Sequence, residues 1–152
     1  MLDLDQKKKD FQYGFKNELT IIRQLKNVFN NIEKNDDRYN HFDYRDDKFK
    51  IDIELKTRRI YKGQYNTIIF AECKLEEGRR KMKEGISERV IYCFNFDTKD
   101  KKSKELWYWE DDGVCEVDVG ILGNYKRGDS GKRCIHIKCD DLKLFSKENL
   151  LE

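Results

Sequence analysis

The stretch His41–Arg59, HFDYRDDKFKIDIELKTRR, decides how this chain is read. From Lys50 to Arg58 apolar and charged residues alternate strictly, the period-2 pattern of a strand with two unlike faces. Ile51, Ile53 and Leu55 belong to one face, and Asp52, Glu54, Lys56 and Arg58 to the other. Asp43 precedes Glu54-Leu55-Lys56 by eleven residues. Two acids and a lysine brought to one spot by neighbouring strands suit metal-dependent cleavage of a phosphodiester. The plainer reading of the same residues is a solvated charged strand face.

Outward from this strand, apolar residues at Phe15, Leu19, Ile22, Leu25, Phe29 and Ile32 give the stripe of an amphipathic helix over 15–32. Residues 1–10 are polar and expected to fray. Glu18 lies one turn before Ile22, on the core-facing edge. A buried carboxylate requires a partner, so a cation or metal is expected beside it. A first-turn Glu favoured by the helix dipole is the alternative.

Asn35-Asp36-Asp37 ends the helix, 39–45 reads as a short strand and Asp46-Asp47-Lys48 as a turn. After the turn Lys62-Gly63-Gln64, residues 66–75 read as a strand. A hairpin symmetric about Gly63 sets Glu72 opposite Glu54 and Lys74 opposite Asp52. Residues 76–88 are expected to be helical and 89–97 (RVIYCFNFD) a buried strand. Residues 106–110, 114–122 and 133–139 follow as three further strands. The order is α–β–β–β–α–β with added strands, an α/β or α+β class within one domain spanning 1–152.

Composition sets bounds on partners. The chain has 152 residues, 41% of them charged, and a net charge of only +2. Mean hydropathy is -0.95, yet the 12% aromatic content argues against a disordered chain, because Trp, Tyr and Phe recur inside strand-like runs. A nucleic acid would have to be held by local clusters, such as Arg58-Arg59, Arg79-Arg80-Lys81 and the lysines of 99–104. Such runs are more often solvated loops. The five cysteines form no CxxC pair, which speaks against structural zinc; Cys134 and His136 share strand parity, but nearby Cys139 does not. No run reaches membrane-spanning length and no signal-peptide segment is seen, so no membrane partner is expected. The expected location is intracellular, with reduced thiols.

GFKNELTIIRQL, FDYRDDKFKIDIELKTR and the run IIFAECK resemble the PD-(D/E)XK nuclease superfamily, with the restriction-endonuclease-like fold. FDY followed by IELKTRR, Tyr65 and Lys74 is similar to small nuclease-like proteins of large DNA viruses and phages. The resemblance covers residues 14–97. The family's proline before the aspartate is here Phe42. The resemblance implies an αβββαβ core with a mixed central sheet, and leaves residues 104–145 as a C-terminal β extension. It implies hydrolysis of phosphodiester bonds with Mg²⁺ or Mn²⁺ as cofactor, and nucleic acid, above all DNA, as partner. It further implies a homodimer where both strands are cut, and the cytoplasm or nucleus of a host cell if the source is viral. Glu18, Asp43 and Glu54 would hold metal, and Asp43, Glu54 and Lys56 would form the catalytic set. Arg58, Arg59 and Lys74 would contact phosphates.

Two registers of the motif are open: Asp43 with Glu54 and Lys56, or Asp52 with Glu72 and Lys74. The first has the tighter spacing and is preferred; the second has the better hairpin symmetry. A catalytically inactive nuclease fold serving as a binding or structural module is the alternative function.

Overall fold

In the computed structural model, which describes residues 4–37, 40–122 and 132–151, the sequence folds as an α+β protein with a mixed sheet. Helix α1 (Leu4–Val28) is followed by strands β1 (Glu33–Lys34), β2 (Tyr44–Asp46), β3 (Ile51–Tyr61) and β4 (Thr67–Ala71). Helix α2 (Glu72–Lys83) leads into β5 (Arg89–Asp97), β6 (Lys104–Asp111), β7 (Asp118–Leu122) and β8 (Lys132–Lys138). Strand β9 (Lys143–Leu144) and helix α3 (Lys147–Leu151) complete the order.

Six strands form the main sheet in the order β1-β2-β3-β5-β6-β9. β3 and β5 pair in parallel, and the other neighbours are antiparallel. β4, β8 and β7 make a second, antiparallel sheet. α1 buries Ile21, Leu25 and Val28 against one face of the main sheet, where they meet Tyr44, Ile51, Ile53, Ile91 and Cys93. The opposite face packs Val90, Tyr92, Phe94 and Phe96 against Leu75 of α2 and Ile68, Phe70, Ile135 and Ile137 of the small sheet. Covered on both sides, β5 is buried from Val90 to Phe96, which explains its near-continuous apolar run.

Several expectations are corrected. α1 begins at Leu4, so residues 4–10 are helical rather than frayed, and it ends at Val28 rather than Ile32. Its buried stripe runs through Ile21 and Leu25, while Leu19 is exposed. Phe29 and Ile32 join the core from the turn after the helix. The short strand before the turn is Tyr44–Asp46; of the expected 39–45, Tyr39 lies outside the described residues. Of the expected strand 114–122, only Asp118–Leu122 forms one.

The largest correction concerns β4. It does not fold back on β3, because β2 and β5 already occupy both edges of β3. Instead Thr67 registers with Lys138 and Ala71 with Cys134. The strand stops at Ala71, and α2 starts four residues earlier than expected. Glu, Lys and Leu are good helix formers, and the run ECKLEE holds enough of them to continue the helix upstream of Glu76. Gly78 lets α2 lie close on β5: a Cβ there would stand 2.7 Å from the Tyr92 hydroxyl and 2.9 Å from Val90 Cγ1.

Candidate metal and nucleic-acid site

β3 presents Asp52, Glu54, Lys56 and Arg58 on the face that also carries Val90, Tyr92, Phe94 and Phe96 of β5, its parallel register partners. This face is not a solvated one. Asp52 is 0% and Glu54 3% exposed, because α2 covers the first half of the strand. Burial of this kind is costly to a carboxylate unless charge and hydrogen bonds compensate it. The two acids are compensated in different ways.

Asp52 is neutralised by protein groups at one oxygen, while its Oδ1 is buried without a hydrogen bond. Its Oδ2 accepts from Arg45 Nη1 at 2.8 Å and from the Ser87 hydroxyl, and Lys81 Nζ stands 2.8 Å away. Glu72, at the start of α2, accepts from Arg133 Nε and Nη2 at 2.7 and 3.0 Å. That arginine holds the Glu72 carboxyl below its ordinary range. Asp52 and Glu72 therefore lie in separate ion-pair systems, and the Asp52/Glu72/Lys74 register is not assembled. Its hairpin premise fails with the strand pairing.

Glu54 sits between two ammonium groups. Lys56 Nζ is 3.4 Å from Oε1, and Lys74 Nζ is 3.5 Å from Oε2. Oε2 is buried and accepts no hydrogen bond. Burial raises the pKa of Glu54, and the nearby charge of Asp43 raises it further; Lys74 and Lys56 oppose both. Asp43 lies just before β2, its N–H on Ile53 O at 3.1 Å and its Oδ2 accepting from the Leu55 N–H at 2.8 Å. Those two bonds lock it beside β3. Lys74 comes from the first turns of α2, where its Nζ also donates to His41 O at 2.5 Å. The Tyr92 hydroxyl donates to Lys74 O at 2.8 Å and anchors that turn.

Glu18 is not buried at the core edge as expected, and the cation beside it is Lys34 of β1. Their side chains are 40% and 52% exposed. The Glu18 hydrogen bond raises the Lys34 pKa, and the charges of Asp36 and Asp43 add to it. Tyr44, packed beneath, is pushed up to about 12 by burial, with Glu18 and Asp43 adding their fields. Arg58 is half-buried, with Nη2 3.4 Å from Ile69 O, so it bridges the two sheets. Arg59 is exposed.

The structure thus brings Asp43, Glu54, Lys56 and Lys74 together, with Glu18 and Lys34 at the margin. The placement of Lys74 on a helix, and the roles of Lys34, Arg45 and Lys81, were missed from the sequence. The helix-forming composition after Ala71 was the signal for Lys74; no local signal existed for the others.

Among the described residues, the three-ligand group whose donor atoms all lie within 4.8 Å of one another is Asp111, Asp112 and Cys115. Glu18, Asp43 and Glu54 are more widely spaced. The Asp111 group is explained without an ion. Arg79 binds Asp111 through Nε and Nη2 at 2.9 and 3.0 Å, and Asp112 accepts the Val114 and Cys115 N–H groups at 2.9 and 2.8 Å. Among the described residues, no helix is long and apolar enough to cross a membrane. No family model, no curated protein and no solved structure matches the chain.

Proposed function

We propose that this protein is a divalent-metal-dependent nuclease of the PD-(D/E)XK type, hydrolysing phosphodiester bonds in DNA. The observation that carries the reading is a second acid, Asp43, beside Glu54, whose Oε2 is buried without a hydrogen bond. Asp52 Oδ1 is buried likewise, but that carboxylate is already bound by Arg45, Lys81 and Ser87. Mg²⁺ is held by one or two carboxylates together with water and substrate oxygens, so two acids satisfy its needs. Asp43 and Glu54 are the ligands in this reading. Glu18 joins them only by leaving Lys34. Bound there, the ion supplies positive charge against the phosphate oxygens and acidifies water.

The protein's own groups do the rest. Lys56 lies two residues beyond Glu54 on the same strand face, roughly 7 Å further along. Its ammonium donates to the attacking water and directs it at phosphorus, and it stabilises the charge that develops. Lys74, held by the His41 carbonyl, and Arg58, held by the Ile69 carbonyl, contact the flanking phosphates. Support for the restriction-endonuclease-like core comes from the order α1, β2, β3, β4, α2, β5 and from the motif's position on β3. β4 departs from it by joining the second sheet.

One observation favours the alternative, a nuclease fold without activity. Lys34, Lys56 and Lys74 already neutralise Glu18 and Glu54 without any ion. Calorimetric titration with Mn²⁺, paired with a plasmid-nicking assay in Mg²⁺ against EDTA, decides between them. Mn²⁺ uptake with Mg²⁺-dependent nicking is expected. DNA binding with neither uptake nor nicking would give the site to the inactive module.

A further inference from the structure

The C-terminal end of β3 carries cations beyond those the cleavage site needs. Past Lys56 and Arg58 the strand runs to Tyr61, Lys62 opens the turn after it, and β5 ends beside it, with Asp97 in register with Tyr61. The turn from β5 to β6 spans 98–103 and contributes Lys99, Lys101 and Lys102, all exposed. Lys99 Nζ lies over the Tyr61 ring at 5.5 Å from its centroid. Lys62 Nζ lies over Trp107 at 4.4 Å. Trp107 registers with Phe94, and Phe94 with Lys56, so Lys62 folds back onto the face that presents Lys56.

Two of the acids at this end are engaged, while Asp140, beside Gly63 and Tyr65, is exposed. Asp97 pairs with Lys104 at 2.8 Å. Asp100 accepts from the Thr98 hydroxyl at 2.6 Å and from the Lys102 N–H at 3.0 Å, which shapes the turn. Glu105, in the row of Arg58, stays exposed. At the other end of β3 the charges are matched more closely: Arg45 pairs with Asp47 and Asp52, and Arg89 with Glu110. The excess of positive charge is therefore directional, along the line leading away from Glu54.

We infer that Lys56, Arg58, Lys62, Lys99, Lys101 and Lys102 form a track for the phosphate backbone of a nucleic acid, running from Glu54 towards the β5–β6 turn. The inference takes its starting point from the nuclease reading but concerns binding alone. From Glu54 to Tyr61 the strand covers about 23 Å, the rise of roughly seven base pairs. Each phosphate neutralised adds about 0.9 to the slope of log affinity against log salt.

The test is fluorescence anisotropy of a short labelled DNA duplex in EDTA over a range of NaCl concentrations. Three proteins are compared: the wild type, the triple variant Lys99→Ser, Lys101→Ser, Lys102→Ser, and a charge-matched control, Lys48→Ser, Lys83→Ser, Lys147→Ser. The control lysines are exposed and lie before β3, before β5 and in α3. The track predicts a slope lower by about two to three in the turn variant, weaker binding at low salt, and a near-normal control. Equal slopes in wild type and turn variant, equal losses in both variants, or no DNA binding by the wild type overturn it. Binding to vesicles containing phosphatidylserine but not to DNA assigns the lysines to a lipid surface and also overturns it. EDTA keeps cleavage out of the measurement. A chain that binds with the expected slopes but never cuts keeps the track and loses the nuclease, and one that cuts with unchanged slopes does the reverse.

Discussion

Lys74 Nζ stands 3.5 Å from Glu54 Oε2, although the two residues belong to different secondary structures and β4 between them is paired elsewhere. α2 alone delivers the lysine: it starts at Glu72 and lies flat enough on β5 for Tyr92 to hold the Lys74 carbonyl. Glu54 is thereby clasped between Lys56 on its own strand and Lys74 from the helix. The contact makes the site sensitive to each of its parts.

Lys56→Ala is expected to lower plasmid cleavage in Mg²⁺ by a factor of roughly 100 or more, the usual contribution of a proton-handling group. Lys74 remains to neutralise Glu54, so the thermal melt should be nearly unchanged. A nicking assay and a melt on the same preparation check this, and full activity would remove Lys56 from the catalytic set.

Glu54→Gln tests the electrostatics through pH. The Glu54 pKa in the fold lies above its ordinary 4.5, so its protonation favours the folded state. That contribution is fully present below 4.5 and is lost as pH rises through the raised value. The variant lacks this loss. Its melting temperature relative to the wild type should therefore climb with pH across the acid range and level off above the folded-state pKa. The wild type alone should gain stability from Mn²⁺, about 2.7 kcal/mol at a hundredfold excess over Kd. Equal Mn²⁺ shifts in both proteins would place the ion elsewhere.

Asp52→Asn and Glu72→Ala separate structure from chemistry. Asn at 52 leaves Lys81 and Arg45 facing a neutral group in a buried setting, which is expected to cost about 3–5 kcal/mol. Urea unfolding measures it. Cleavage per folded molecule should persist. Glu72→Ala loses a surface pair with Arg133 and should melt and cut like the wild type. A dead but folded Glu72→Ala protein would restore the register rejected here.

Gly78→Ala pushes a methyl towards the Tyr92 hydroxyl, Val90 Cγ1 and Phe42 Cζ, the last at 3.3 Å. Overpacking of this kind costs about 1–3 kcal/mol. Because Tyr92 holds the Lys74 carbonyl, cleavage should fall along with stability. An unchanged urea midpoint would mean that α2 can lift from β5 without penalty.

Local periodicity made much of the fold legible. The alternation from Lys50 to Arg58 marked β3 and the apolar run RVIYCFNFD marked β5, because each pattern reflects contacts that repeat along its own element. Helical spacing marked α1 as a helix, although the side chains it buries are Ile21, Leu25 and Val28 rather than the expected stripe. Glu54 and Lys56 were found the same way, two residues apart on one face. Only the tertiary structure decided which strand β4 joins, since Thr67 finds its hydrogen bonds at Lys138 and strand pairing carries no signal within the strand itself. It also separated Asp52 from Glu54. Both are acids on the same face of the same strand and are indistinguishable by pattern. Packing gave Asp52 an arginine, a lysine and a hydroxyl, all at one oxygen, and gave Glu54 a second carboxylate and two lysines; each acid keeps one buried oxygen without a hydrogen bond. The chemistry of a buried charge is set by what the fold brings to it, and those groups come from β2 and the residue before it, β3, α2 and the loop before β5.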